Sequence, residues 1–203
     1  EQLIGFEITN RLKNSCIIKD FSGGSEKEFE QSFRRSWLLM LEMSDDLINS
    51  IRKNDFQALE RMHFKDREIN KFTNYTIRLL LKINKFSSKK TALYFHFLRN
   101  LEELGDEYQN LSVHIAEYKA KVSDEELNLI QKNNEHLREF YELFYKYEDK
   151  RMDQLFMDSK KTFRKIEKLS AEQKHNHMIM HYLFSISEGI RKLLSTIVEM
   201  RVC

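Results

Sequence analysis

The chain has 203 residues, with 34 Lys and Arg against 32 Asp and Glu, for a formal net charge of +2. So small an excess excludes nucleic-acid or membrane binding through bulk electrostatics. The absence of proline, only five glycines and a 33% charged share exclude a turn-rich sheet protein and predict a few long helices around a core.

Residues 3–21 stand apart from the rest. "LIGFEI" and "CIIKDF" are short β-prone runs around the polar turn "TNRLKNS", which predicts a hairpin. A lone hairpin is marginal in water, so this one is expected to dock on something, such as an upstream segment. A start at Glu1 rather than Met is expected of a piece of a longer chain. "SGGSEKE" follows as a joint, with Ser25 as helix cap and Glu28 in capping-box position.

From there a helical period dominates. Phe29, Phe33, Trp37, Met40, Ser44, Leu47 and Ile51 step by three or four residues, as a core-facing stripe does. A second helix is predicted over 55–85, with Phe56, Leu59, Met62, Ile69, Phe72 and Leu80 inward. "FSSKK" ends it, and a third runs over 90–121 through Phe97, Leu101, Leu104, Tyr108, Leu111 and Ile115. That helix would be about 45 Å long. "VSDEE" restarts the pattern, with Ser123 as cap and Glu126 three residues on. Helices over 124–146, 149–169 and 171–201 complete the chain, the last burying Met180, Leu183, Ile186, Ile190, Leu193 and Ile197.

Residues 97–111 overlay residues 182–196 in apolar phase, which points to a duplicated unit. The expected fold is all-α: two tandem three-helix bundles preceded by a short β-hairpin. The segments are 1–24 for the hairpin and linker, 25–122 for the first bundle and 123–203 for the second.

Chemistry-bearing residues concentrate in the first unit. Glu102, Asp106 and Asn110 lie one turn apart beside the apolar seam, and Asp66 and Asn70 share the same spacing on the preceding helix. On antiparallel helices the two rows face each other, and paired oxygen ligands on facing helices are how bundles hold metal. The plain alternative is a solvated polar flank. A second reading takes Glu-x-x-His pairs, Glu60 with His63 and Glu172 with His175, as parts of a di-iron carboxylate oxidase or iron-storage bundle completed by Glu102. His177 and His181 make a further i,i+4 pair, and Glu42 and Asp46 another; both suit ordinary polar contacts. No nucleophilic triad, Gly-rich phosphate loop or Walker motif is present, so no enzyme is expected. Cys16 and Cys203 have no metal-like spacing and read as reduced thiols of an intracellular protein. No apolar run approaches the ~20 residues of a membrane span, and no signal peptide is visible. A cytoplasmic protein without membrane insertion is expected.

"LEELGDEYQN" resembles the signature of the PhoU family of phosphate-uptake regulators, whose repeats carry an acidic E/D-x-x-x-D motif often followed by Asn a turn later. "MLEMSDDLINSIRKNDFQALERMHFKDREINKFTNYTIRLLL" is similar to the first two helices of a PhoU repeat, with "DREIN" where the family often has D-x-x-x-D. The resemblance spans roughly residues 28–201, specific in the first repeat and architectural in the second. It implies two three-helix bundles, metal on the bundle face, and a non-enzymatic role tuning a phosphate transporter or its sensor kinase by protein contact. It also implies a cytoplasmic place, peripheral to the membrane through that partner, and a homodimer, for which Trp37, Phe144 and Tyr147 are candidate anchors. Carried over, the metal ligands are Glu102 and Asp106 with Asp66 opposite and Asn70 and Asn110 beside them, for Fe, Zn, Mn or Mg. Asn70 departs from the family by replacing a charged ligand with a neutral one. "LIGFEITNRLKNSCIIKDFS" resembles the segment joining an AbrB-like DNA-binding domain to PhoU in archaeal relatives. DNA contact and transcription regulation would then run only through an N-terminal domain absent from this chain.

The second repeat departs further. Offset by 85, the acidic positions fall on Ser187, Arg191 and Ser195; offset by 84, on Ile186, Ile190 and Leu194. The facing acid falls near Ser159 or Lys160. A metal site is therefore expected in the first bundle alone, and Lys160, Lys161, Arg164 and Arg191 are available as a partner surface in the second. A metal-free docking scaffold is the remaining alternative.

Overall fold

The computed structural model describes residues 4–12, 14–83, 86–172 and 174–202. Cys203 lies outside them; Cys16 is a free, exposed thiol. Two strands, β1 (Phe6–Arg11) and β2 (Cys16–Asp20), precede seven helices among the described residues. These are α1 (Glu26–Lys53), α2 (Phe56–Glu60), α3 (Met62–Lys82), α4 (Ser88–Glu117), α5 (Asp124–Tyr145), α6 (Asp149–Ser170) and α7 (His177–Val202).

The strands pair antiparallel, Phe6 opposite Asp20 and Ile8 opposite Ile18, with a bulge between Ile8 and Asn10. The surface the hairpin needs is supplied by α3. The Arg78 guanidinium lies 4.3 Å from the centre of the Phe6 ring and donates to the Ile4 carbonyl, and Lys82 pairs with Asp20. Leu12, Ile17, Ile18 and Phe21 remain exposed on the hairpin.

Helix boundaries follow their caps. Ser25 Oγ accepts from the Glu28 amide at 3.2 Å, while the Glu28 carboxylate reaches past the cap to the Gly24 amide at 3.1 Å. Ser123 and Glu126 form a full capping box, with bonds of 3.3 and 2.8 Å. The helix predicted over 55–85 divides at Arg61, where a one-turn α2 capped by Asp55 meets α3. The fourth helix stops at Glu117 because the chain enters the left-handed region at Lys119 (φ 46°). There Lys119 N–H bonds the Ala116 carbonyl at 3.4 Å and Ala120 N–H the Ile115 carbonyl at 3.0 Å. This is a Schellman closure with lysine where glycine is usual. The last helix starts at His177 rather than at 171, because Asn176 Oδ1 caps it through the amides of Met178 and Ile179.

Helices α1, α3 and α4 pack mutually, as do α5, α6 and α7, and the two sets meet most extensively along α4 and α7. The buried apolar side chains form one cluster that runs from Phe29 to Met200. Gly189 makes the close approach possible: a Cβ there would stand 3.1 Å from Leu104 Cδ1. Trp37, expected as a dimer anchor, is instead fully buried, ringed by Phe97, Phe140, Tyr141 and Phe144. Phe144 is half-buried in that aromatic cluster, and Tyr147 carries the Arg201 guanidinium at 4.5 Å.

The Lys119 cap gives a direct test. A side chain with a Cβ is strained at positive φ, so Lys119→Gly should raise stability by about 0.5–1 kcal/mol in chemical denaturation. A loss of stability would mean that the lysine side chain contributes more than its backbone costs.

Candidate metal centre

The site lies in the seam between α3 and α4, where Gly105 lets the two helices approach. A Cβ at Gly105 would stand 3.5 Å from Ile69 Cδ1 and 3.6 Å from Asp66 Oδ1, so the Asp66 carboxyl rests on the backbone of α4. Asp66 is only 6% exposed. Asn70, one turn on, donates through Nδ2 to Asp66 Oδ2 at 3.1 Å. Asp66 Oδ1 and Asn70 Oδ1 are both buried and accept no hydrogen bond among the described groups. A buried acceptor left in that state costs roughly 1–3 kcal/mol.

Across the seam the Asp106 carboxylate faces Asp66, with Glu102 beyond it. Burial, then the charge of Asp106 and a hydrogen bond with it, then the charge of Glu102, push the Asp66 carboxyl up to about 6. Glu102 and Asp106 are also pushed up, each chiefly by burial. A proton on Asp66 lets it donate to Asp106 and relieves the repulsion; a cation between the two would do the same. Glu102 is held by Arg99 on its own helix. Asn110 is exposed one turn beyond Asp106.

Among the described residues, no three His, Cys, Asp or Glu side chains converge closely enough to hold a metal by themselves. What meets across the seam is two carboxylates, Asp66 and Asp106, with Asn70 bonded to Asp66 and its Oδ1 left over, and Glu102 near by as a third carboxylate shared with a guanidinium. This all-oxygen set fits a single hard or intermediate cation. It does not fit a cluster of several cations, because Asn70 brings no charge and Arg99 offsets one of those present.

The di-iron residues are not gathered. Glu60 ends α2 and His63 opens α3, so the helix break at Arg61 takes them off one regular face, and His63 Nδ1 meets the Glu60 carbonyl at 2.7 Å rather than its carboxylate. Glu172 pairs with Lys174 in the α6–α7 connection. His175 is buried there beside Glu125 and Glu126, with no Glu172 contact among its ion pairs. His177 and His181 are exposed. Glu42 and Asp46 are tied by Lys65, at 4.0 and 2.5 Å, as an ordinary ion-paired edge.

Two features were not visible from spacing. One is the Arg99–Glu102 pair, legible only as i,i+3 neighbours among many. The other is a basic groove of about 350 Å³ that shares Asn70 with the site and is also lined by Arg67, Lys71, Asn74 and Arg78.

No protein-family model matches the chain, and neither does any curated protein. Solved structures do. The phosphate transport system regulatory protein PhoU from Streptococcus pneumoniae aligns with a TM-score of 0.61 and 14% identity, over 86% of this chain and 90% of that one. PhoU from Pseudomonas aeruginosa aligns with a TM-score of 0.67 and 11% identity, over 87% and 96%. The chain has the PhoU fold. The match takes in nearly the whole of both PhoU chains, so the helical order, and not one shared hairpin of helices, carries the likeness. At this identity the PhoU fold is what is common, and the chemistry of the α3–α4 seam has to be argued from this chain's own residues.

The raised Asp66 value fixes the sign of a pH effect. Asp66 binds its proton more tightly folded than unfolded, where its ordinary value is 3.8. Stability due to this group is therefore greatest below about pH 4 and falls as pH rises to about 6. Denaturation in chelator should show Asp66→Asn gaining on the wild type across that window. A difference that stays flat from pH 4 to 7 would show that Asp66 ionises like an exposed carboxylate.

Proposed function

We propose that the protein is a non-enzymatic regulator of phosphate transport, acting by contact with a transporter or its sensor kinase. The observation that carries this reading is the PhoU fold, shared over nearly the full length of two phosphate-transport regulators. Contact as the mechanism is supported by the hairpin, whose exposed Leu12, Ile17, Ile18 and Phe21 give an apolar surface of the kind that protein partners cover. Among the described residues no helix is long and apolar enough to cross a membrane, so a membrane transporter would be reached from outside the bilayer.

In this reading Asp66 and Asp106 would hold a single divalent cation, with Asn70 available as a neutral oxygen donor and Glu102 as a further carboxylate. The cation would supply positive charge to carboxylates that burial otherwise drives towards protonation. Asp66 and Asp106 hold it, Asn70 orients Asp66 through their hydrogen bond, and Arg99 competes for Glu102. Because the ligands come from both helices, binding would clamp α3 to α4 and stiffen the first helical set.

Elemental analysis after loading with Mn, Fe or Zn tests the cation. About one equivalent is expected in the untagged wild type and none in Asp66→Ala/Asp106→Ala. No metal in either protein would leave a protonated acid pair and a metal-free docking scaffold. Regulation is tested by deleting the gene in its host and measuring phosphate uptake in phosphate-rich medium. Uptake should rise and return to normal on complementation; unchanged uptake would count against the transport role.

A further inference from the structure

The second helical set carries the inverse of the acidic seam. Where the duplicated pattern has Glu102 and Asp106 on α4, it has Ser187 and Arg191 on α7. The Arg191 guanidinium lies over the Phe163 ring of α6, 4.6 Å from its centre, and the Phe184 ring packs on the same Phe163 at 4.7 Å. Phe184, Ser187 and Arg191 therefore form one stripe of α7 facing α6, and Lys160 lies one turn before Phe163.

The charges on this face do not cancel. Asp158 pairs with Lys161 at 2.8 Å, and Glu188 with Lys192 at 3.6 Å. Among the described residues no carboxylate comes within ion-pair distance of Arg191, Lys160 or Arg164. Arg191 Nε is buried with no acceptor, and Ser187, only 1% exposed, has a hydroxyl with no partner. The Ser159 hydroxyl opposite is already bonded to the Phe156 carbonyl at 2.8 Å and places no demand on the site. Two donors without acceptors thus sit on this helix–helix face, and Lys160, half-buried and without a counter-ion among the described residues, lies one turn along α6 from Phe163.

We propose that this α6–α7 face is a binding site for a phosphate-class oxyanion, with Arg191 as principal ligand and Lys160 and Ser187 assisting. A guanidinium held over an aromatic ring spends none of its N–H groups as hydrogen bonds on that contact, and a pair of those groups matches two oxygens of a phosphate. A half-buried guanidinium also contributes more than a solvated lysine, because the local dielectric is lower. The oxyanion class follows from these donors alone. Phosphate as the ion to try first rests on the transport-regulator reading. A free phosphate ion and a phosphoryl group on a partner present the same chemistry, and the test separates them.

The full chain, in EDTA and at fixed ionic strength, is titrated with inorganic phosphate, sulfate and a phosphoserine peptide, followed calorimetrically. Phosphate should bind the wild type and Asp106→Asn alike, and bind Arg191→Gln about tenfold or more weaker. Lys160→Gln combined with Ser187→Ala should weaken it as well, and this pair decides if Arg191→Gln does not fold. Sulfate binding alongside phosphate would support the site as a general oxyanion site, and peptide binding without free phosphate would assign the phosphoryl group to a partner. Equal affinity in the wild type and the folded variants would overturn the proposal by making Arg191 a packing residue on Phe163. So would no binding of any probe below about 10 mM. No oxyanion binding in a protein whose effect on phosphate uptake is intact would remove the oxyanion proposal alone and leave the regulator reading standing.

Discussion

Helix α4 is covered along most of its length, by α1 and α3 on one side and by α7 on the other, and the remaining packing is arranged around it. Phe97, Leu98, Leu101, Leu104, Tyr108 and Leu111 of this helix are all essentially inaccessible to water. A hydrogen-bond chain fixes the junction: the Tyr108 hydroxyl donates to Asn134 Oδ1 at 2.8 Å, and Asn134 Nδ2 to the Ser44 carbonyl at 2.6 Å. That chain ties α4, α5 and α1 together in the interior, where an unmade bond would cost about as much as a cavity in the core.

The chemistry of both seams follows from this double coverage. A helix buried on two flanks has little solvated surface left, so its polar residues fall at the edges of packed seams and lose water. Half-buried Glu102 and the more exposed Asp106 sit at such an edge facing the buried Asp66, and desolvation is the largest cause that raises each of the three carboxyls. Helix α7 is in the same position on the other side. There the side chains caught at the edge are Ser187 and Arg191, which raises the demand for an anion instead. One duplicated architecture thus presents two seams of opposite character.

Much of this was legible beforehand, for identifiable reasons. The core stripes of the long helices were read correctly because a 3.6-residue period is a local property, and Phe97, Leu101, Leu104, Tyr108, Leu111 and Ile115 are all buried as expected. The acidic rows were readable from the same period. Helix ends were read less well: the break at Arg61 and the stop at Glu117 depend on backbone closures with no glycine or proline to announce them. Trp37 fits both a core stripe and a dimer anchor, because a large aromatic at a stripe position suits either, and the structure places it in the core. The surface that covers it belongs to α5, about a hundred residues away in sequence.

What the sequence determined by itself was therefore periodic: helices, their buried faces, the hairpin, the duplication, and the alignment of acids on α3 and α4. Each depends on neighbours within one or two turns of chain. What only the tertiary structure decided was which edge each row meets and what covers it. Asp66 became a buried acid because Gly105 brings α4 against it, and Arg191 became a cation without a counter-ion because Phe163, and not a carboxylate, lies opposite. The charge state of a side chain is set by solvent access and by long-range partners, and neither is written in local spacing.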